Sequence, residues 1–388
     1  MTGEAIAFTS LYAAAGALMP LLVVYQEQWQ FPPMLLTLAF AVFAVGFLAA
    51  VLTVGSLSDH VGRRPVLVGA LIIQLISNVM FLVAPDVEWV IAGRIVQGLA
   101  TGAATTAFTA ALVELAPPHR KGLGAVLGSV GLTGGLAVGS LLAGLAIQFT
   151  TAPNAIVFTV LTVVTMLGIV ALAPETVTRA PGALRSLIPR VAVPPTARRE
   201  FAAAAPVIAA VWMVAGLSGG LAPSMVHSVF GVNSGLLSGL SGFGSPAMSA
   251  VSGLAFARLH PRRAMTIGIF ASIGGAIGIV SGILGGSLAI MLIGQAIAGA
   301  GFGASFTASL QLIVPLAAAH QRAAVVASVY LVSYLAFGVP IVIAGQLVEP
   351  VGLVPTVFWY TVTTVVLALI GLRVQPALGG RTRHEHTG

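Results

Sequence analysis

The residues with the greatest chemical potential lie together in segment 55–65, which reads GSLSDHVGRRP. Asp59 and Arg63 stand four residues apart, a spacing at which an acid and a base can pair on one helical face. Gly55 and Gly62 allow tight turns and close approach of the backbone. Only 7% of the chain is charged, so this cluster needs a reason. Two remain open: an ion pair that forms and breaks during function, or arginines that only fix the orientation of the chain.

A second candidate position is Arg94, the one basic residue inside a long apolar run. A charge in the middle of a bilayer costs several kcal/mol and usually faces a cavity or a partner. Gln97 lies about one helical turn further along. Arg94 therefore either has a role in function, facing a cavity, or is a structural arginine that is satisfied by carbonyl groups of neighbouring helices.

Acidic residues avoid the middle of the apolar runs. Glu4, Glu27 and Glu114 all lie near the ends of such runs. Proton relays in membrane proteins commonly use a buried carboxylate. If this chain moves protons, their carrier has to be Asp59, Glu114, Glu27 or a relay near Arg94.

Composition excludes most other classes of protein. Of the 388 residues, 58% are hydrophobic and the mean hydropathy is +1.05, whereas about a quarter of the residues of a soluble domain are charged. The absence of cysteine excludes disulfides and thiolate catalysis, and the seven histidines show no pair at metal-ligand spacing within one helix, so we expect neither metal nor cofactor. No phosphate-binding loop is present. The net charge of +7 is explained by the placement of the arginines, so we expect no nucleic-acid partner.

The apolar runs predict an all-α membrane protein with twelve transmembrane helices. A bilayer core of about 30 Å takes roughly 20 apolar residues as a helix. The first run is too long for a signal-peptide core, so we expect no cleavable signal. The runs lie at about 5–25, 34–56, 65–84, 88–112, 122–148, 154–173, 204–227, 234–257, 264–284, 287–312, 323–347 and 353–373.

Charge alternates between successive loops. The gaps after odd-numbered spans hold Glu27, Asp86, Glu88 and Glu349 and no basic residue. Basic residues mark cytoplasmic loops, so both termini are predicted to be cytoplasmic in a bacterial plasma membrane. Sixteen of the seventeen basic residues obey this rule: Arg63, Arg64, Arg120, Lys121, Arg179, Arg185, Arg190, Arg198, Arg199, Arg258, Arg262, Arg263, Arg322, Arg373, Arg381 and Arg383.

An internal repeat divides the chain in two. Gly16 and Pro20 match Gly219 and Pro223, and Arg94 corresponds to Gln295 in the second half. Similar offsets in several helix pairs indicate a parallel duplication. The predicted organisation is a six-helix bundle at 1–173, a Pro- and Arg-rich cytoplasmic linker at 174–203, a second bundle at 204–374 and a cytoplasmic tail at 375–388.

Segment 55–65 resembles the signature loop G-x-L-x-D-x-x-G-R-R of the major facilitator superfamily, and segment 94–102 resembles its helix 4 motif R-x-x-Q-G-x-x-x-G. The resemblance implies the fold of that superfamily, with two six-helix bundles related by a pseudo-two-fold axis along the membrane normal, and a monomer. It also implies a latch that opens and closes during switching, formed by Gly55, Asp59, Gly62, Arg63 and Arg64 with Glu114 as the acidic partner.

Residues 131–140 partly resemble the helix 5 antiporter motif G-x-x-x-G-P-x-x-G-G of the same superfamily. Gly131, Gly135 and Gly139 fit the motif, while Leu136 replaces the proline and Ser140 the last glycine. Small residues every four positions also form a ridge for close helix packing. This packing alone accounts for the three glycines, so their support for export is modest.

The substrate cavity is predicted from polar and aromatic residues on the helices that line it in this superfamily. The resemblance suggests a substrate or coupling role for Arg94, Gln97 and Gln295. A mostly uncharged, aromatic cavity suits a small amphipathic or weakly polar molecule. The aromatic candidates are Phe8, Tyr12, Phe108, Trp212, Phe302, Phe306, Tyr330 and Tyr334.

Together these features predict a secondary active transporter that works by rocker-switch alternating access. We expect proton-coupled efflux of a drug or metabolite, with the substrate, protons and the lipid bilayer as partners. The alternative is a proton-coupled symporter or facilitator that takes up a small nutrient. A membrane-embedded enzyme or sensor is disfavoured, because it calls for intramembrane His, Asp or Glu arrays or an added soluble domain.

Overall fold

A computed structural model describes residues 2–54, 57–114, 122–172, 191–318 and 321–379. Within this part, long helices follow one another and there is no strand, which confirms the all-α prediction. Twelve of them are named here: α1 (Thr2–Trp29), α2 (Pro33–Val54), α3 (Arg63–Leu82), α4 (Val87–Glu114), α5 (Gly122–Phe149), α6 (Pro153–Ala171), α7 (Pro195–Gly220), α8 (Gly235–Phe256), α9 (Pro261–Leu284), α10 (Leu288–Ile313), α11 (Arg322–Val351) and α12 (Leu353–Gly379).

Ten of these helices are long and apolar enough to cross a membrane. Helices α4 and α8 have comparable lengths, 28 and 22 residues, but do not belong to that set. α4 contains Arg94, and α8 is rich in serine and glycine. The predicted number of twelve spans therefore stays a prediction for these two helices.

Local sequence explains where several helices begin and end. Proline opens α2, α6, α7 and α9, where its missing N–H has no intrahelical partner to lose. Ser234 and Ser287 cap α8 and α10 by accepting hydrogen bonds from the backbone N–H groups of Leu237 and Ile290, both at 3.4 Å. Gly62 separates the one-turn helix Ser58–Val61 from α3 with φ of 92°, a conformation that favours glycine.

The start of the second half differs from the sequence prediction. Helix α7 begins at Pro195, so the last part of the predicted linker 174–203 is helical. The predicted span 204–227 is also broken, because α7 ends at Gly220 and a separate short helix covers Ala222–Ser228. Pro223 lies in the first turn of that short helix, the position that proline tolerates. Residues 174–190 of the linker lie outside the described residues.

The helix contacts repeat between the two parts of the chain. α1 packs on α5 and α2 on α4, and α7 packs on α11 and α8 on α10 in the same way. Helix α3 contacts α4 and α6, as α9 contacts α10 and α12. The two sets, α1–α6 and α7–α12, are called the first and second half below, and their assignment as two bundles stays a prediction.

The halves meet along two helix pairs, α5 with α8 and α2 with α11. At the first pair, the backbones of Gly144 and Gly239 are so close that a Cβ built on Gly144 would lie 2.6 Å from the Gly239 Cα. At the second pair, Gly345 packs directly on the side chain of Thr37. Small residues thus permit the close approach of the halves.

Candidate functional site

A cavity of about 90 Å³ lies between the two halves. Eight helices line it: α1, α2, α4 and α5 from the first half, and α7, α8, α10 and α11 from the second. Its lining contains one charged side chain, that of Arg94, among the described residues. The aromatic and polar lining residues are Tyr12, Phe40, Phe43, Arg94, Thr133, Trp212, Ser218, Ser245, Ser249, Phe302, Tyr334 and Phe337.

Arg94 is 2% exposed and is held by groups of the first half. Its Nε donates to the carbonyl oxygen of Ala39 at 3.1 Å, and its Nη2 donates to that of Phe40 at 3.0 Å. Its Nη1 donates to Gln97 Oε1 at 2.6 Å. The guanidinium carbon lies 4.6 Å from the centre of the Phe43 ring, within range of a cation–π contact. No carboxylate of the described residues pairs with this charge.

The glycines that follow Arg94 explain how it reaches the backbone of α2. A Cβ built on Gly98 would lie 2.8 Å from Phe47 N, and one on Gly102 would lie 3.0 Å from the Phe47 Cα. Side chains at these positions would therefore push α2 away from α4. The motif R-x-x-Q-G-x-x-x-G thus combines an arginine with the small residues that bring neighbouring carbonyl groups within its reach.

Aromatic rings form one wall of the cavity and a cluster behind it. Trp212 of α7 lies at its centre, with ring centroids of Tyr334 at 4.8 Å and Phe302 at 5.3 Å. Tyr334 also stacks on Phe47 of α2 at 4.1 Å, so the cluster joins both halves. The nine connected rings, called the ring cluster below, are Phe40, Phe43, Phe47, Trp212, Phe302, Phe306, Tyr330, Tyr334 and Phe337.

The structure separates the predicted cavity residues into three groups. Tyr12, Trp212, Phe302 and Tyr334 line the cavity. Phe306 and Tyr330 belong to the ring cluster without being among the lining residues.

Phe8 and Phe108 are the third group, and they are not among the residues that line the cavity. Their ring centroids are 5.4 Å apart, and Phe8 also makes an edge contact with the ring of Tyr12 at 5.3 Å. The hydroxyl group of Tyr12 shares a 2.8 Å hydrogen bond with Thr105 Oγ1.

Several buried polar atoms near the cavity have no hydrogen-bond partner among the described residues. Trp212 Nε1 and Ser218 Oγ belong to lining residues of α7 that are 7% and 3% exposed. Gln97 Nε2 on α4 and both amide atoms of Gln295 on α10 are in the same situation, although neither glutamine is among the lining residues. An unpaired buried polar atom costs about 1–3 kcal/mol, so these donors and acceptors call for partners such as water or a ligand.

The three glycines of α5 pack against α1. A Cβ on Gly131 would lie 2.7 Å from the Phe8 ring, and one on Gly135 would lie 2.6 Å from the Thr9 carbonyl oxygen. Gly139 lies even closer to the backbone of Ala13. These contacts are those of a close-packing ridge.

The predicted latch is only partly described. Gly55 and the side chains of Asp59 and Glu114 lie outside the described residues. Arg63 is half-buried and Arg64 is exposed at the start of α3. The proposed pairing of the latch therefore stays a prediction.

Residues 253–263 of the second half, GLAFARLHPRR, are a degraded copy of segment 55–65, and their Arg262 forms an ion pair that sequence reasoning missed. Arg262 Nη2, at the start of α9, donates to Glu200 Oε2 of α7 at 2.9 Å. The carboxylate comes from the start of α7 and not from the position equivalent to Asp59, which is Ala257. This pair ties two helices of the same half together.

Other residues at the site were also missed in the sequence. Phe40, Phe43 and Phe47 are spaced at i, i+3 and i+7, which places them on one face of α2 and was a readable signal. Phe337 follows Tyr334 by three residues on α11 in the same way. Glu4 is 3% exposed and is the one buried carboxylate among the described side chains; its place near the start of a run gave no sign of this.

The described contacts between the halves concentrate at one end of the bundle. We call the end of the bundle that carries Arg63, Arg64 and Arg258 the basic end. The α1–α2 loop lies at the other end, which we call the opposite end. Near the opposite end, Ser140 Oγ donates to the Gly239 carbonyl oxygen at 3.0 Å. The contacts of Gly144, Gly235 and Gly345 lie there as well. Among the described residues, the structure is therefore closed at the opposite end.

Known proteins resemble this chain in sequence and in fold. The family model described as Major Facilitator Superfamily matches residues 5–339. The citrate-proton symporter of Klebsiella pneumoniae is 34% identical over 98 residues, which cover 22% of this chain and 22% of the relative. The chain spans less than a quarter of the length of the curated relatives that it matches.

Two solved structures match nearly the whole chain. A bacterial homologue of the human lysosomal transporter Spinster, in an inward-facing and occupied conformation, aligns with a TM-score of 0.74 and 12% identity over 97% of this chain and 96% of that one. The human organic anion transporter MFSD10 aligns with a TM-score of 0.68 and 18% identity over 95% and 98%. At these identities the likeness shows the fold alone.

Proposed function

Because this chain belongs to the Major Facilitator Superfamily, and is thus a multi-pass membrane transporter and not an enzyme, we propose that it carries a small amphipathic molecule by alternating access. The observation that supports this proposal is the cavity between the halves, lined by rings and one buried arginine. Ligand sites in such transporters lie at the interface of the structural repeats. A mostly apolar lining with a few convergent polar groups is typical of small-molecule sites.

The described contacts fit a rocking motion of one half against the other. They close the opposite end, which the distribution of basic residues predicts to lie outside the cell. Opening that end requires separation of Gly144 from Gly239 and of Thr37 from Gly345. The same movement breaks the hydrogen bond from Ser140 Oγ to the Gly239 carbonyl oxygen. The state described here is then the one closed to the outside.

We propose proton-coupled efflux as the mode of transport, with Glu4 as an additional candidate for the proton carrier. A buried carboxylate in a membrane protein is costly when charged, and protonation removes that cost. Glu4 is buried on α1, the helix that also contributes Tyr12 to the cavity. Asp59 and Glu114 remain candidates. One relative is named a citrate-proton symporter, which supports protons as the coupling ion and leaves direction to experiment.

Everted membrane vesicles test the proposal. An inside-acid gradient should drive accumulation of the substrate if the protein exports it, and a protonophore should abolish this accumulation. Glu4→Gln should lose gradient-driven accumulation but keep substrate exchange at equal pH, because exchange needs no net proton movement. Accumulation that requires the reverse gradient would show uptake, the alternative mode. A lack of any transport across a broad panel of amphipathic compounds would count against the proposal as a whole.

A further inference from the structure

We infer that the cavity selects molecules with a single acidic group, such as a carboxylate, attached to an aromatic or apolar body. This inference rests on the proposed function, since it names the substrate class of the same site. It starts from Arg94, the one charged residue among the described residues that line the cavity.

The hydrogen bonds of Arg94 leave part of its guanidinium available to a ligand. Arginine has five N–H donors. Three of them are used by the carbonyl oxygens of Ala39 and Phe40 and by Gln97 Oε1. The remaining two have no acceptor in the part of the chain that the structure describes, although Arg94 is 98% buried and lines the cavity. Two N–H groups on one guanidinium suit the two oxygens of a carboxylate.

Charge balance points to an anion as the ligand. The partners of Arg94 are neutral groups, so its positive charge is not compensated by an acid of the described residues. A buried charge without a counter-charge is strongly unfavourable. A bound monoanion removes this penalty, whereas a cation adds a second positive charge to a lining without Asp or Glu. A di- or trianion brings more negative charge than one arginine can balance.

The other wall of the cavity is suited to the body of the same ligand. Trp212, Phe302 and Tyr334 present adjacent rings, with centroids 4.8–5.3 Å from that of Trp212. Aromatic faces stack favourably on flat apolar groups. Trp212 Nε1 and Ser218 Oγ are buried and have no hydrogen-bond partner in the described part of the chain. They can donate to an ether, carbonyl or hydroxyl oxygen on that body.

Matched ligands on the purified full-length protein test this inference without a transport assay. Isothermal titration calorimetry in detergent measures the dissociation constants of 4-phenylbutyrate, its amide 4-phenylbutyramide and the amine 4-phenylbutylamine. The three compounds share one apolar body and differ in the charge of the head group. Phenylsuccinate serves as the dianion. We expect the monocarboxylate to bind at least tenfold more tightly than each of the other three, because a charge-assisted pair is about twice as strong as a neutral hydrogen bond.

Variants assign the preference to Arg94. Arg94→Gln should reduce the difference between acid and amide to less than threefold, and Arg94→Lys should retain most of it. Arg373→Gln, which removes the same charge from an exposed position on α12, should leave it unchanged. Trp212→Phe should lower the affinities for the acid and the amide by the same factor, since Trp212 is proposed to contact the apolar body that both ligands share.

The outcomes separate this inference from the proposed function. Equal or tighter binding of the amide, the amine or the dianion overturns the monoanion class while the transporter proposal stands. An acid preference that survives in Arg94→Gln overturns the role of Arg94. Binding of none of the four compounds to the wild-type protein overturns the inference for aromatic acids, and vesicle transport of other compounds still tests the function. The ligand series needs no variant, so a misfolded Arg94→Gln does not prevent the test.

Discussion

Gly144→Ala should shift the equilibrium from the state closed at the opposite end toward the state that is open there. The new Cβ would lie 2.6 Å from the Gly239 Cα and 2.8 Å from the Gly235 carbonyl oxygen. Carbon contacts are favourable at about 3.5–4.0 Å, so α5 and α8 must separate by about 1 Å. Overpacking of this kind costs about 1–3 kcal/mol. The cost falls on the state closed at the opposite end, because the proposed rocking breaks this contact in the other state.

A penalty of this size changes the ratio of open to closed molecules by about 5- to 150-fold. The chain has no cysteine, so spin labels can be placed at will. Labels at Glu88→Cys on α4 and Glu349→Cys on α11 are exposed at the opposite end in different halves. Pulsed electron paramagnetic resonance then measures the distribution of distances between the two spin labels. Gly144→Ala should raise the population with the longer distance relative to the labelled parent.

Gly134→Ala is the matched control on the same helix. Its Cβ would meet only Val130 Cγ1, at 3.6 Å, an ordinary contact. Both substitutions gain about 0.5–1 kcal/mol of helix propensity, so this effect cancels in the comparison. If Gly144→Ala and Gly134→Ala give the same distance distribution, the contact of α5 with α8 does not control the closed state, and our account of the closure is refuted.

Three further predictions concern other contacts. Cysteines at Ile147 and Gly235, whose Cβ atoms would be 2.7 Å apart, should form a disulfide after a small helix shift and arrest transport in proteoliposomes; transport through the intact disulfide would contradict the rocking motion. Glu200→Gln should lower the free energy of unfolding by about 1 kcal/mol, measured by thermal unfolding, with no additional loss when Arg262→Gln is combined with it; additive losses would deny the pair. Tyr360→Phe removes a 2.9 Å hydrogen bond to an α7 carbonyl and should cost about 1 kcal/mol of stability without altering ligand affinity; a changed affinity would place Tyr360 in the site.

The position of Arg94 shows how far a motif can be interpreted. The sequence indicated that this arginine is buried in a membrane and has to be satisfied, and it left open whether carbonyl groups or a substrate do so. In the structure, two carbonyl oxygens of α2 accept hydrogen bonds from the guanidinium, and Arg94 also lines the cavity. This division depends on the distance between α2 and α4, which the sequence only suggests through Gly98 and Gly102.

The ring cluster shows where sequence reasoning stops. Trp212, Phe302 and Tyr334 were predicted on helices expected to line the cavity, yet Phe40, Phe43 and Phe337 were not, although they are equally close to it. In a soluble helix the apolar stripe marks the interior. A membrane helix is apolar on all sides, so periodicity does not distinguish the face in contact with lipid from the face in contact with other helices.

The sequence by itself determined the all-α membrane class, because bilayer thickness and the cost of charge in lipid act directly on composition and spacing. Its motifs indicated the superfamily and singled out Arg94. Only the tertiary structure decided which rings meet, that Glu4 is buried, and that Arg262 pairs with Glu200. These facts depend on how helices distant in the chain turn toward one another, and that rotation is set by the packing of small residues across their interfaces.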